Sequence, residues 1–280
     1  MVILMSKSAS LVEDFQRYFD VELASTPLQQ EQVFRVRYRI YCEEFHYESV
    51  EAFPNKLETD EFDEISRHSL ITHKATGMGA GCARLVFPDE HSQMPMEKYC
   101  ANAIDDKSIR PFDGRRDTIC EFSRLGVDGA FRRRAGESAS RFGKVAAIDC
   151  SKREERTFSL IAVATILSGF AMSELLGRPY CFAMMEPFLP RLLKRSGLIV
   201  HRIGENTEYH GQRAPYFFET GEIMKGMPDE LRAFYAVIYA NFAACGPYTS
   251  QAARVAPRTS PSQSSPSSWL PSLYGHSFAT

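Results

Sequence analysis

The segment Thr118-Ile-Cys-Glu-Phe-Ser-Arg-Leu-Gly-Val127 combines a strand-like apolar run with two charged side chains, Glu121 and Arg124. Burying an unpaired charge costs several kcal/mol, so charges in a central strand need partners. In a regular strand these two side chains would project to opposite faces of the sheet. A β-bulge between them would bring both to one face and interrupt the ladder locally. We therefore predict an irregular strand here, with backbone N–H groups free to hold an oxyanion.

The segments around this strand predict a mixed α/β protein. A helix is expected over 28–47, and two strands over 68–72 and 78–87 form a hairpin whose turn ends at Gly77. The predicted elements after Val127 are a long helix at 154–176, a strand at 180–185, a short helix at 189–195, a strand at 198–203 and a final helix at 229–242. A hairpin-rich start followed by a βαβ-like end indicates a mixed central sheet with helices on both faces.

Composition restricts the class of protein. The chain has 280 residues, 33 basic and 35 acidic side chains, a net charge of −2 and 44% hydrophobic residues. Near-neutrality excludes a general nucleic-acid binder, and the apolar content excludes a mostly disordered chain. Residues 251–280 contain eight Ser and four Pro without an acidic residue. We therefore predict one domain over 1–250 and a flexible tail over 251–280.

The cysteines and the longest uncharged segment bear on the cellular compartment. Seven cysteines are dispersed without a CxxC pair, which favours buried free thiols and a cytoplasmic location. The segment Thr157–Ser173 has no charge but is only marginally long enough to span a bilayer. We expect it to form a buried core helix, so no transmembrane span is predicted.

Charged residues within otherwise apolar elements are the candidates for chemistry. Alternating Arg35, Arg37 and Arg39 cannot all face solvent on one helix, so one of them should point inward. The predicted buried ion cluster contains Arg37, Arg84 and Arg124 together with Asp60, Asp63 and Glu121. The alternative is that these are surface charges at a sheet edge.

Four stretches, in this order, resemble the motif series of the acyl-homoserine lactone (autoinducer) synthases. They are Val36–Tyr47, Glu58–Asp63, Ala83–Leu85 and Glu121–Arg124. The residues at the family's motif positions would be Arg37, Tyr41, Tyr47, Asp60, Asp63, Arg84, Glu121 and Arg124. The chain departs from the pattern at Tyr41, where the family usually has Phe, and at Tyr47, where it usually has Trp.

The second half is similar to a related group, the N-acyl amino acid synthases. Met184–Pro187, Arg191–Gly197 and Tyr209–Tyr216 look most like the acyltransferases associated with the PEP-CTERM/exosortase system. The whole resemblance covers about residues 15–225. It implies a GNAT-type fold, an acyl thioester donor on an acyl carrier protein or CoA, an amine acceptor, and no bound cofactor.

Acyl transfer to an amine needs a proton acceptor and donors for the tetrahedral oxyanion. Glu121 is the candidate base, and the backbone N–H groups from Leu125 to Val127 are the candidate oxyanion donors. Asp60 and Asp63 would orient a cationic amine.

The candidate arginines have different roles. Arg84 and Arg124 would keep the carboxylates ionised, or would bind an acceptor carboxylate. Arg37 would hold the N-terminal helix over the acceptor pocket. His210 would line that pocket or cap a turn, and Arg213 is a further candidate for substrate binding.

The donor side has a weaker signature. Arg133, Arg134 and Gly136 resemble the pyrophosphate loop of GNAT enzymes, except at the last position. Residues 132–156 contain eight basic and four acidic side chains, so an acidic carrier protein would dock there. The alternative is a solvated loop and helix start.

Other chemistries lack their motifs. His68, His73 and Cys82 do not have the spacing of a metal site, and no Gly-x-Ser-x-Gly elbow occurs. We therefore predict an N-acyltransferase without a metal. The alternatives are an autoinducer synthase and a non-catalytic GNAT-like module that binds a carrier protein.

Overall fold

The structure is a computed structural model that describes residues 12–132 and 151–245. Within these ranges one mixed sheet contains β1 (Phe19–Leu23), β2 (Ser66–His73), β3 (Gly79–Val86), β4 (Ile119–Val127), β5 (Tyr180–Met185), β6 (His201–Arg202), β7 (Thr207–Glu208) and β8 (Gln212–Glu219). The spatial order is β1-β2-β3-β4-β5-β8-β6, with β7 paired to β8. Neighbouring strands are antiparallel except β4 and β5, which are parallel.

The helices of the described ranges are α1 (Pro27–Tyr38), α2 (Pro95–Tyr99), α3 (Asp106–Ile109), α4 (Gly129–Arg132), α5 (Lys152–Glu155), α6 (Ser159–Leu175), α7 (Leu189–Arg195), α8 (Thr220–Gly226) and α9 (Asp229–Ala244). A helical segment at 12–18 precedes β1. A π-helical turn, Arg39–Glu44, continues α1, and a 3-10 turn, Glu61–Ile65, precedes β2. The predicted mixed α/β fold is therefore confirmed.

Helix α1 covers one face of the sheet. Thr26 and Gln29 form a capping box at its start, which satisfies N–H groups that have no partner inside the helix. Val33, Val36 and Ile40 pack against Leu70 of β2 and Cys82 of β3, all of them buried. Arg37 is carried on this same inward-facing side and is fully buried.

Helix α6 covers the opposite face. A Cβ atom on Gly81 would lie 3.0 Å from Ile161 and 3.1 Å from Thr165, so β3 and α6 are in close contact. Gly169 of α6 lies against the Phe122 ring of β4. The uncharged segment predicted as a core helix thus forms most of α6. Among residues 12–132 and 151–245, no helix has both the length and the apolar character needed to cross a membrane.

Several predicted boundaries change in the structure. The long helix predicted at 154–176 is divided, because α5 ends at Glu155 and α6 begins at Ser159. The helix predicted over 28–47 becomes π-helical after Tyr38 and ends at Glu44. The strand predicted at 198–203 shortens to β6.

The sequence did not predict strands β1, β7 and β8. Strand β8 contains Pro215, a residue that argues against a central strand. It nevertheless lies between β5 and β6 and pairs antiparallel with both. The βαβ-like end predicted from the sequence is present as β4–α6–β5, a parallel pair of strands connected through α6. Strand β8 separates β5 from β6, so α7 does not connect neighbouring strands.

The prediction of buried free thiols is confirmed for five of the cysteines. Cys42, Cys82, Cys100, Cys120 and Cys181 are buried and free, whereas Cys245 is exposed. Cys150 and the tail predicted over 251–280 lie outside the described residues.

The close approach of α6 to β4 predicts the effect of Gly169→Ala. The new methyl group would overlap the Phe122 ring, and overpacking of this kind costs about 1–3 kcal/mol. That cost exceeds the gain of about 1 kcal/mol from replacing Gly by Ala inside a helix. We expect a lower free energy of unfolding, measured by urea denaturation.

Gly221→Ala is the matched control, because its Cβ would meet only the Glu219 side chain, at 3.5 Å. It should leave the stability unchanged or raise it. A Gly169→Ala protein as stable as Gly221→Ala would contradict the packing described here.

Candidate active site

The structure contains a bulge in β4, and its position follows from the register. Ser123 pairs with Arg84 of β3, and Gly126 pairs with Cys82, so two β4 residues, Arg124 and Leu125, lie opposite one β3 residue. Arg124 has a φ of 48°, a left-handed conformation that non-glycine residues seldom adopt. The bulge predicted for this strand is present, and its two residues are Arg124 and Leu125.

Strands β4 and β5 separate next to this bulge. Their pairing runs from Ile119 opposite Tyr180 to Phe122 opposite Ala183, after which both strands continue without pairing to each other. A cavity of about 540 Å³ lies at this separation. Its walls are the bulge at 124–127, the end of β5, the start of α7, one side of α6, and the segments 40–47 and 209–213.

Glu121 lies in the wall of this cavity and is almost fully buried, with 2% of its surface exposed. Its Oε2 accepts a hydrogen bond from the Met96 N–H at 2.9 Å. Desolvation by burial raises the pKa of Glu121 to about 8, although the Met96 N–H and the Arg84 charge oppose that shift. A carboxyl group with this pKa can take up and release a proton near neutral pH, which a general base requires.

Three arginines and three carboxylates form a buried ion cluster beside Glu121. Arg37 contacts Glu58, and also Asp63 at 2.6 Å. Arg84 contacts Asp60 at 2.5 Å and Asp63 at 2.9 Å. Arg124 contacts Glu58 at 3.0 Å and Asp60 at 3.1 Å. Arg37 and Arg84 are 0% and 1% exposed, so the alternative of surface charges at a sheet edge is wrong. Arg37 is the inward-facing arginine of its helix, whereas Arg35 is exposed and pairs with Glu31.

The third carboxylate of this cluster is Glu58, not Glu121. Glu58 is fully buried, and its two oxygens bind different arginines, Arg37 and Arg124. Glu121 instead bonds to the backbone of Met96. Glu58 could have been identified from the sequence, because it opens the same acidic stretch that contains Asp60 and Asp63.

The charges of the ion cluster hold one another in the ionised state. Burial acts to raise the pKa of Glu58, but attraction to Arg37 and Arg124 outweighs it and lowers that pKa to about 2. The pKa of Asp63 is lowered as well, because Arg37 and Arg84 overcome its desolvation. Glu58 and Asp63 therefore stay ionised at neutral pH, and Asp60 and Asp63 are already engaged by arginines.

Aromatic side chains line the side of the cavity next to the ion cluster. Tyr41 lies under Arg124, 5.1 Å from its ring centroid to the guanidinium carbon, and its hydroxyl donates to the Leu125 carbonyl at 3.4 Å. Burial raises the pKa of Tyr41 to about 12, so its hydroxyl keeps its proton. Tyr47 contacts the His210 ring at 5.0 Å between centroids and Arg213 at 5.7 Å. The structure thus brings His210 and Arg213 to the cavity wall.

The donor-side residues are only partly described. Arg133, Arg134 and Gly136 lie outside the described residues, as does most of the basic stretch 132–156. Within its described part, Arg132 binds Glu44, and Arg153 binds Asp14 at 2.5 Å.

The two histidines considered for a metal site face different partners. His68 lies 3.6 Å from Asp63, and burial together with the Arg37 charge lowers its pKa to about 3. His73 bonds to Glu154 at 2.5 Å. Cys82 packs against Val33 and Val36 of α1. Within the described ranges, no group of three His, Cys, Asp or Glu side chains is placed to hold a metal ion.

Comparisons with known proteins bear on the class of enzyme and on the fold. Residues 36–140 match the family model described as an acetyltransferase (GNAT) domain. No curated protein matches the chain. The match to the GNAT domain supports an acyltransferase.

Solved structures with a similar fold include TofI, in a ternary complex with an inhibitor and MTA, at a TM-score of 0.53 and 15% identity over 76% of this chain and 99% of that chain. MesI, a CoA-dependent acyl-homoserine lactone synthase, has a TM-score of 0.52 and 18% identity over 79% of this chain and 95% of that one. FeeM, an N-acyl amino acid synthase from uncultured soil microbes, has a TM-score of 0.48 and 14% identity over 75% and 94% of the two chains. The TM-scores of TofI and MesI show a shared fold.

The ion cluster predicts a large effect of Glu58→Gln. The substitution leaves Arg37 and Arg124 buried with too little negative charge, and breaking a buried pair in this way costs about 3–5 kcal/mol. Urea denaturation at pH 7 should show that loss in the free energy of unfolding. Glu64→Gln removes an exposed carboxylate from the 3-10 turn that follows Glu58 and should change stability by less than about 0.5 kcal/mol. Equal stabilities would contradict the structural role of Glu58.

Proposed function

We propose that this acyltransferase moves an acyl group, preferably a long chain, from an acyl carrier protein or CoA thioester to the amine of an amino acid or a similar compound. The observation that carries the proposal is the placement of Glu121 and the β4 bulge in one wall of the cavity between β4 and β5. A proton acceptor and the backbone of an interrupted strand ladder therefore line the same cavity. The resemblance of Met184–Pro187 and Tyr209–Tyr216 to N-acyl amino acid synthases supports the acceptor class.

The cavity walls favour an acyl chain. Ala162, Ile166 and Phe170 of α6 line it, together with Leu125 of the bulge. Each methylene group removed from water contributes about 0.8 kcal/mol, so an apolar wall of this kind binds a long chain better than a short one.

In the proposed reaction the amine nitrogen bonds to the thioester carbonyl carbon, and the carbon–sulfur bond then breaks. Ionised Glu121 accepts the proton that the amine loses, directly or through a water molecule, and the sulfur leaves as a thiol after gaining a proton. The ladder is interrupted at Arg124 and Leu125, and we assign stabilisation of the oxyanion to the N–H groups from Leu125 to Val127. Tyr41, Tyr47, His210 and Arg213 would surround the acceptor.

The two alternative functions differ in how they would use the buried charged residues. An autoinducer synthase would use the same cluster of Arg37, Arg84 and Arg124, which resembles that family's motif series. A non-catalytic module would have no use for a buried Glu121 whose pKa is raised to about 8, because burying such a group costs stability without a compensating reaction. We therefore favour the enzyme.

The deciding experiment incubates the purified full chain with acyl-carrier-protein and acyl-CoA thioesters and, in separate reactions, the twenty amino acids or S-adenosylmethionine, and identifies products by mass spectrometry. An N-acyl amino acid is the expected product. Turnover of S-adenosylmethionine with release of a lactone would favour the autoinducer alternative. Absence of any N-acyl product with every donor would leave only the binding module.

The role of Glu121 as a base predicts the pH profile. Because only the ionised carboxylate accepts a proton, kcat/KM should rise with pH through about 8. Glu121→Gln should lower kcat/KM by about 10²–10⁴-fold and remove this rising limb, leaving only the ionisation of the amine itself. Glu64→Gln, with an exposed side chain, is the control. An unchanged rate in Glu121→Gln would remove the base assignment.

The basic stretch 132–156 is the proposed docking site for an acidic carrier protein. Lys152 and Arg156 are exposed in its described part. The double change Lys152→Glu/Arg156→Glu should raise KM for an acyl carrier protein by about 10-fold at low salt, since rim charges steer association. KM for an acyl-pantetheine thioester, which lacks the carrier, should not change. Arg110→Glu is the control, because Arg110 is exposed and lies outside this stretch of the sequence. Equal effects of the two variants on KM for the acyl carrier protein would exclude docking at 132–156.

A further inference from the structure

We propose that Arg213 binds the carboxylate of the acceptor, so that the cavity selects an α-amino acid over a simple amine. This inference rests on the proposed function and names the group that determines its acceptor.

The guanidinium of Arg213 differs from those of the other arginines in the cavity wall, which are Arg124 and Arg132. Arg124 binds Glu58 and Asp60, and Arg132 binds Glu44. Arg213 has no carboxylate partner within residues 12–132 and 151–245, and its buried Nε–H donates to no protein acceptor there. Leaving a buried donor unsatisfied costs about 1–3 kcal/mol. An unpaired cation in the wall of a cavity is therefore poised to bind an anionic group of a ligand.

The position of Arg213 in the sheet places it at the separation of β4 and β5. Ala214 pairs with Met185, the last residue of β5, and Arg213 itself pairs with Thr207 of β7. Arg213 thus lies beside the end of β5 that has already diverged from β4, and it lines the same cavity as Glu121.

The neighbours of Arg213 orient it without neutralising it. Its guanidinium carbon lies 5.7 Å from the centroid of the Tyr47 ring, a cation–π contact that restrains the side chain and retains its charge. His210 lies against the same ring. Burial lowers the pKa of His210, and the charges of Arg213 and Arg124 lower it further, so this imidazole is neutral at pH 7.

A carboxylate is a suitable partner for Arg213, because a guanidinium can bind its two oxygens with parallel N–H bonds. In an α-amino acid the amino group is attached to the carbon next to that carboxylate, so an acceptor held at Arg213 keeps its amine in the cavity that Glu121 lines. Arg84 and Arg124, the residues that the sequence suggested for this task, both already bind Asp60. A phosphate of the donor is the other anion that could reach Arg213, and the experiment separates the two.

The test compares the amino acid that the mass-spectrometric assay identifies with the amine obtained by removing its carboxyl group. The wild-type protein should prefer the amino acid. Arg213→Met should raise KM for the amino acid by about 10- to 100-fold, the value of a lost charge-assisted bond pair. It should leave the KM values for the decarboxylated amine and for the donor unchanged. Arg213→Lys should retain part of the preference, because it keeps the charge but not the planar fork.

Arg202→Met is the matched control, because Arg202 is exposed on the neighbouring strand β6 and does not line the cavity. Unchanged circular dichroism spectra and thermal midpoints would show that the Arg213 variants are folded. Equal use of the amino acid and its decarboxylated amine by the wild type would overturn the inference while the proposed function stands. A raised donor KM in Arg213→Met, without a change for the acceptor, would assign Arg213 to the donor phosphate instead.

Failure of the proposed function is recognised separately, as an absence of acyl product with every amine. Binding then provides the readout, with leucine against isopentylamine and phenylalanine against phenethylamine in isothermal titrations. Tighter binding of the carboxylate-bearing member, lost in Arg213→Met, would support Arg213 as a carboxylate site. Equal binding, or binding of neither member of each pair, would overturn it.

Discussion

The buried ion cluster is the constraint on which the rest of the site depends. Arg37, Arg84 and Arg124 come from a helix and two strands, and their carboxylate partners come from the stretch 58–63. Charges taken out of water are tolerated only if each one has close partners of opposite sign. The helix, the strands and the acidic stretch must therefore meet in one arrangement, and that arrangement places α1 over the bulge of β4.

Two glutamates show how burial alone does not determine a protonation state. Glu58 and Glu121 are both shielded from solvent, yet the pKa of Glu58 falls to about 2 and that of Glu121 rises to about 8. Glu58 contacts two guanidinium groups, whereas Glu121 accepts a backbone N–H and faces the cavity. The first is held ionised to support the structure. The second can exchange a proton near neutral pH, and this difference separates the structural carboxylate from the candidate base.

The bulge and the strand separation act together on the same few residues. The extra residue at Arg124 and Leu125 turns the Arg124 side chain to the carboxylates, on the face that Glu121 also occupies. Just beyond Phe122, β5 leaves β4, and the space between them is the cavity. Strand β8 then pairs with β5 and brings Arg213 to the wall of the same cavity. Arg213, which has no carboxylate partner among the described residues, and the buried Glu121 thus line one cavity from different strands.

The sequence by itself determined the mixed α/β class, the hairpin, the inward Arg37 and the need for a bulge, because period, turn residues and the cost of unpaired charge are local properties. It also placed all three arginines of the ion cluster. Only the tertiary structure decided that Glu58 completes the cluster, since both Glu58 and Glu121 satisfy the same charge balance. It also decided that β8 lies inside the sheet despite Pro215 and that Arg213, rather than Arg84 or Arg124, has no carboxylate partner in the described residues. Those outcomes depend on which segments, distant in the sequence, compete for the same partners. Contacts between distant segments produce no periodic pattern that could be read from the sequence.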